Sequence, residues 1–524
     1  MATSAGQSLV GEIGRVRVGG AGVAAWLLAC LLATGSSAQQ PSGAGGQRPD
    51  TDVPRPDLPV ARFQLSNGMR FVVLPRPGAP TAAFAVRYGV GGVDDPEGQS
   101  GIAHLLEHLF FKGTTSIGTS AWPAERYFLE RMDALVDSLG QPGATETAAM
   151  AARLDALEDS ARTFVVPNEF VDILTRNGAR SLNATTDADA TTYFVELPAN
   201  RIELWFALEA ARLSDPVFRE FRAERDVVLE ERRLRVDDRP DGRLEEALLA
   251  EAFRVHPYGV PVVGSAADVR RLSRRDVAEY RRRYYGASNA VVAVVGDVDA
   301  AVVRTLAERY LAAVPAGDEP PPVSAVEPPQ EAPRRVHVTF DAEPRLRLAW
   351  HTVEAGHPDA SPLAVLASIL TGGVTSRLYR RLVVAEGTAV DVSAGGGPGG
   401  RFPGLLQIFA TPRAPAGTAE LEAAILDEIA RLATDPPTER ELAAVRNGIA
   451  LGEVERLASN LGLALRLAES ELRFGDWRRT FDAALAARAV TAADVVRVAR
   501  TYLRPDAVTV ATLGRRDPAA DDGP

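Results

Sequence analysis

One stretch in the middle of the chain returns near its end. Asp276-Val277, Tyr284 and an apolar run closing at Gly296 recur, 218 residues later, as Asp494-Val495, Tyr502 and a run closing at Gly514. The opening segments correspond more loosely. Leu346-Arg347-Leu348-Ala349-Trp350 and the apolar stretch 361–370 stand where residues 82–110 stand in the first half. A helical pattern followed by a strand, repeated in register, implies two copies of one α+β unit, because each copy has to bury the same faces. With 524 residues, each copy is long enough for a core of its own.

Local patterns fill in the first copy. Phe63 and Leu65 lead into Asn67-Gly68, and Met69-Arg70-Phe71-Val72-Val73-Leu74 follows, which is a hairpin signal. Residues 81–89 read as a strand, 100–111 as an apolar helix and 289–296 as a buried strand. Between 116 and 167, Leu129, Met132, Leu135, Val136 and Leu139 recur at helical spacing, as do Met150, Leu154, Leu157 and Ala161 after the Gln141-Pro142-Gly143 break. That segment is expected to be an inserted helical hairpin. Residues 317–333 are rich in proline and acid, as a solvated linker is. The expected units are a first domain over 61–316, the linker, a second domain over 334–516 and a short tail over 517–524.

The formal net charge of −11 argues against a nucleic-acid partner, which favours a basic face. The single cysteine, Cys30, allows no internal disulfide. Arg15 and Arg17 precede an apolar stretch over 19–34, and Ser36-Ser37-Ala38 supplies the small residues that signal peptidase needs. Residues 1–38 therefore read as an export signal, followed by a flexible lead-in over 39–60. The expected location is the periplasm or the cell exterior. A retained N-terminal anchor and a lipoprotein cleaved at Cys30, where Leu27-Leu28-Ala29-Cys30 resembles the lipoprotein signal, are the alternatives.

The chemistry lies in His104-Leu105-Leu106-Glu107-His108. On a helix, residues four apart share a face, with Cβ atoms about 5–6 Å apart. Two imidazoles so placed reach one zinc ion at about 2.0–2.1 Å. Glu107 lies near that face and is placed to take a proton from a zinc-bound water, whose pKa falls to about 7. Leu105, Leu106, Leu109 and Phe110 anchor the helix in the core, which holds the ligands better than a loop would. A catalytic zinc needs a third protein ligand and one open position. The candidates are in Ala223-Glu224-Arg225-Asp226-Val227-Val228-Leu229-Glu230-Glu231. Glu224 and Glu231 are two helical turns apart, and spacing alone does not choose among Glu224, Glu230 and Glu231.

His-x-x-Glu-His inverts the common zincin order and marks the inverzincins. With Phe111-Lys112-Gly113-Thr114 after it, the motif resembles that of the M16 peptidases, the family of pitrilysin, insulin-degrading enzyme and mitochondrial processing peptidase. The resemblance extends to Asn183-Ala184-Thr185-Thr186, Asp189, Thr192-Tyr193, Leu197-Pro198, His256-Pro257-Tyr258 and Tyr284-Tyr285. It implies one Zn2+ per chain, held by His104, His108 and Glu231, with Glu107 as catalytic base and Glu224 supporting the ligands from behind. It also implies that an extended peptide substrate adds to the edge of the strand at Asn183, Ala184 and Thr185 through main-chain hydrogen bonds.

The second copy departs from the first where the metal would sit. Val365, Ser368 and Ile369 stand opposite His104, Glu107 and His108, and none of them serves zinc. The resemblance further implies an Arg and, seven residues later, a Tyr that reach the substrate from a metal-free domain. Val383 and Val390 occupy those positions. The expected arrangement is a heterodimer in which a second M16-like chain supplies the Arg/Tyr pair, with a homodimer as the alternative. A non-catalytic assembly subunit on the same fold is the competing function, and the intact His104, Glu107, His108 and Glu231 argue against it.

Overall fold

Gly68 turns the chain with a φ of 89°, and β1 (Ala61–Gln64) runs antiparallel to β2 (Arg70–Pro75) with Phe63 opposite Phe71. This hairpin opens the first sheet of a computed structural model that describes residues 57–139 and 147–515. The expected export signal with Cys30, nearly all of the lead-in, the Gln141-Pro142-Gly143 break and the tail lie outside the described residues.

The other strands of this sheet are β3 (Thr81–Tyr88), β4 (Arg180–Thr186), β5 (Thr191–Pro198) and β6 (Ala290–Gly296). They assemble in the order β1-β2-β6-β3-β5-β4. β2 and β6 are parallel and the other neighbours antiparallel. The second sheet contains β7 (Arg334–Thr339), β8 (Arg345–His351), β9 (Ala389–Gly397), β10 (Leu405–Pro412) and β11 (Val508–Gly514), in the order β7-β11-β8-β10-β9. Strand for strand this repeats β2-β6-β3-β5-β4, down to the single parallel pair, β11 with β7. The repeat holds locally as well. Helices Arg274–Tyr284 and Ala492–Tyr502 both start from a capping box, Ser273 with Asp276 and Thr491 with Asp494, and lead into β6 and β11. The fold is therefore two duplicated α+β units with mostly antiparallel sheets.

The site and the cores are built on helices α1 (Ile102–Leu109), α2 (Trp122–Leu139), α3 (Ala148–Arg162), α4 (Phe221–Arg232), α5 (Pro240–Ala252), α6 (Ala360–Thr371) and α7 (Asn460–Phe474). The halves exchange cover. From the second half, α7 lays Leu463, Ala464, Leu467 and Ala468 on the first sheet, against Val72, Ala83, Ala85, Val291 and Ala293. From the first half, α5 lays Leu244, Leu248 and Leu249 on the second sheet, against Ala349, Ala511 and Leu513. Every residue of β6 is buried. Covering on both faces is why its sequence is a continuous apolar run rather than an alternating one.

Polar contacts pin the same interface. Asp189, 5% exposed, accepts hydrogen bonds from the Tyr258 hydroxyl at 2.5 Å, the Gly400 and Arg401 amides at 2.7 and 2.8 Å, and Arg473 Nη2 at 3.1 Å. Arg401 also reaches both carboxylate oxygens of buried Asp94, at 2.9 and 3.0 Å. The motif residues Asp189 and Tyr258 thus join the halves.

The inserted segment forms α2 and α3, with Leu129 and Ala161 buried beside Val217. Thr147 caps α3 by accepting from the Met150 amide.

Candidate metal centre

α1 enters through Gly101 at a φ of 90°, where a Cβ would come within 2.7 Å of the Val263 carbonyl. Its first turn has no side-chain cap of its own. Asp95 supplies one from the preceding loop, accepting from the Gly101 and Ala103 amides at 2.7 and 3.2 Å and from the Tyr280 hydroxyl at 3.1 Å. Ile102, Ala103, Leu105, Leu106 and Leu109 are buried in the first core. That anchoring leaves His104, Glu107 and His108 to meet α4. The two imidazole centroids are 4.9 Å apart with ring planes at 83°.

α4 is held by Phe221 and Val228. It brings Glu231 between the histidines, Oε1 lying 3.7 Å from His104 Nε2 and Oε2 lying 3.4 Å from His108 Nε2. Ligand atoms at about 2.0–2.1 Å around a tetrahedral ion are about 3.4 Å from one another. The observed separations, each to a different oxygen of Glu231, are close to that edge length, and one donor atom from each of the three residues falls within 4.8 Å of the others. Two imidazoles and a carboxylate are also the donor chemistry zinc takes in catalytic sites. Among the described residues, this is where such a group of donors occurs.

The three glutamates of α4 have different surroundings. Glu224 Oε2 lies 3.4 Å from His108 Nδ1, and its other oxygen lies 2.6 Å from Lys112 Nζ. A carboxylate on the far nitrogen of a ligating histidine fixes its orientation and tautomer. Glu230 is half exposed and pairs with Arg233. Glu231 is also held by Arg235, at 2.5 Å. Glu107 Oε2 accepts a 2.5 Å hydrogen bond from the Thr186 hydroxyl at the end of β4. Burial pushes the Glu107 carboxyl up, against the Thr186 bond that favours its charged form. Burial also pulls the His104 imidazole down to about 4, opposed by Glu231. In His108 burial acts the same way but is outweighed by Glu224 and Glu231, which raise it to about 9.

Asn183, Ala184 and Thr185 lie on β4, an edge strand of the first sheet. Ala184 is buried, while Asn183 and Thr185 are exposed. The Asn183 carboxamide accepts from the Ala184 amide at 2.9 Å. The sequence shows Lys112 and Thr186 only as members of the quoted motifs and assigns neither of them, nor Arg235, a role at the site. Two of them carry a legible signal: Lys112 is one helical turn past His108, and strand alternation puts Thr186 on the inward face with Ala184. In the second half, Val365 and Ile369 are buried core residues of α6, while Val390 is half exposed.

Comparisons with known proteins identify the family. The profile described as insulinase, peptidase family M16, matches residues 70–129 and 160–266, and that described as the peptidase M16 inactive domain matches residues 271–449. An uncharacterized zinc protease of Mycobacterium tuberculosis is 28% identical over 467 residues, covering 86% of this chain and 92% of that protein. The zinc protease PqqE of Helicobacter pylori is 29% identical over 329 residues, 61% of this chain and 62% of that one. A crystal structure of a protease from Helicobacter pylori superposes with a TM-score of 0.74 at 24% identity, covering 87% of this chain and all of the other. Two sheets of one topology and relatives named as zinc proteases lead to one conclusion: the chain is a two-domain member of the M16 family of metallopeptidases.

Proposed function

We propose that this chain is an exported zinc endopeptidase that hydrolyses extended or unfolded peptides. The observation that carries the reading is the placement of Glu231 within 3.4 and 3.7 Å of two histidine Nε2 atoms, with Glu107 beside them. His104, His108 and Glu231 would hold one zinc ion, which supplies Lewis acidity and lowers the pKa of water toward about 7. Glu224 orients His108. Glu107 takes a proton from the attacking water and returns it to the leaving amine, and its raised pKa suits a group that must do both. The peptide adds to the edge of β4 along Asn183, Ala184 and Thr185, reading extension more than sequence. The Thr186–Glu107 bond ties the end of that strand to the base.

The side chains of Val383 and Val390 offer no hydrogen bond to a substrate backbone, and the proposal includes a second M16-like chain that supplies an Arg/Tyr pair, a homodimer being the alternative. Export rests on the N-terminal sequence. Among the described residues no helix is long and apolar enough to cross a membrane.

The test is zinc content and peptide cleavage in the same variants. His104→Ala, His108→Ala and Glu231→Gln should each lose zinc, whereas Glu107→Gln should keep it and lose roughly 100-fold or more in turnover. A wild-type chain that binds no zinc when purified without chelator rejects the proposal. Full peptidase activity of the chain alone rejects the need for an Arg/Tyr partner.

A further inference from the structure

The hairpin that lengthens the path from His108 to Glu231 encloses space of its own. The insulinase profile passes over residues 130–159, so much of α2 and α3 lies outside what it matches. Between this hairpin and the body of the first domain is a cavity of about 290 Å3. Leu129, Met132 and Leu154 from the hairpin face Phe218, Phe221 and Leu272 from the body, giving an apolar floor. The remaining lining is mostly charged, with eight arginines against five carboxylates.

Several of those arginines are neutralised across the gap. Arg274 Nε bonds Asp133 at 2.9 Å, Arg275 pairs with Asp137 at 2.6 Å, and Arg222 reaches Asp155 and Glu158 at 2.8 and 3.0 Å. Arg270 has no carboxylate partner among the described residues and is exposed. The cavity therefore joins an apolar floor to a charged lining that is mostly ion-paired, in which the Arg270 guanidinium has no carboxylate partner among the described residues.

Each property selects a different half of a ligand. An apolar cavity of about 150 Å3 accommodates benzene, and at interior packing density a space near twice that takes a chain of roughly ten carbons. A guanidinium holds a carboxylate by a two-point hydrogen-bonded fork, which an ammonium or hydroxyl head cannot reproduce. We propose that the cavity between α2–α3 and the body binds a linear alkyl carboxylate, with its tail along Leu129, Leu154 and Phe221 and its head at Arg270. Phe221 and Arg222 belong to α4, the helix that presents Glu224 and Glu231 to the histidines. A ligand there sits against the back of the metal-site helix without touching the metal site.

The experiment is calorimetric titration of the full chain with decanoate below its micelle concentration, alongside decylammonium. Saturable one-to-one binding of decanoate is expected, at least tenfold tighter than decylammonium. Arg270→Glu, an exposed substitution, should weaken decanoate about tenfold or more. Leu154→Trp should fill the cavity and abolish binding, with circular dichroism and thermal melts checking that both variants stay folded. The proposal is overturned by absence of saturable binding, by equal affinity for decylammonium, or by unchanged decanoate affinity in Arg270→Glu. None of these readouts depends on peptidase activity, so the failure of this site and of the peptidase assignment are distinguishable.

Discussion

Replacing Asp189 by alanine removes one acceptor group from four donors at once. The carboxylate is 5% exposed and takes hydrogen bonds from Tyr258, Gly400, Arg401 and Arg473 at 2.5 to 3.1 Å. Breaking one side of a buried ion pair costs about 3–5 kcal/mol. Each buried donor left without its partner costs about 1–3 kcal/mol on its own. These terms share one acceptor and do not add, so the expected loss for Asp189→Ala is about 4 kcal/mol, from the range for a broken buried pair. Asp189→Asn keeps one oxygen of the right shape and should lose about half as much. Three of the donors come from the second half, so the loss should fall on the contact between the halves. Urea unfolding followed by tryptophan fluorescence measures it, since Trp205 lies in the first core and Trp350 in the second. The expected result is a lower midpoint and separation of one transition into two. A loss below about 1 kcal/mol with a single unchanged transition would show that the halves are held by apolar packing and that the pin adds little.

Thr186→Val removes the hydroxyl bound to Glu107 while keeping the shape of the side chain. A hydrogen bond to a charged group contributes about 1.5–3 kcal/mol, so turnover should fall about 10- to 100-fold, and a parallel loss of zinc would refute action through Glu107. Leu467→Ala empties a fully buried site where α7 covers the first sheet and should cost about 2–5 kcal/mol in chemical denaturation; no measurable change would mean that the exchanged helix is not part of the cooperative fold. Hydrogen bonding from Arg377 is the main reason that the Glu441 carboxyl lies down at about 2. A depressed carboxyl stabilises the fold above its unfolded value of 4.5, and that contribution fades as pH falls toward 2. Arg377→Ala should therefore lower Tm by a constant amount at neutral pH, and the difference should narrow below pH 4.5. A constant difference down through that window would exclude this pair as its source.

The repeat and the His-x-x-Glu-His face are both local facts, and both were legible without coordinates. Helical periodicity alone puts His104 and His108 on one side of α1, and alternation with turn chemistry alone produces the β1–β2 hairpin. The second copy's lack of ligands was legible too, since Val365 and Ile369 offer no donor in any fold.

Tertiary structure decided whatever depended on how distant segments approach. Glu224 and Glu231 share a helical face, so periodicity leaves them equivalent. Only the docking of α4 on α1 puts Glu231 between the Nε2 atoms, Glu224 on Nδ1 of His108 and Glu230 out beside Arg233. Asp189 and Tyr258 stood out in the sequence without a purpose, because the backbone of Gly400 and the side chain of Arg473 that complete their hydrogen bonds lie more than 200 residues away from Asp189. The exchange of α5 and α7 between the sheets was equally hidden. An amphipathic helix records that one face must be buried, and the apolar pattern carries no information on which sheet buries it.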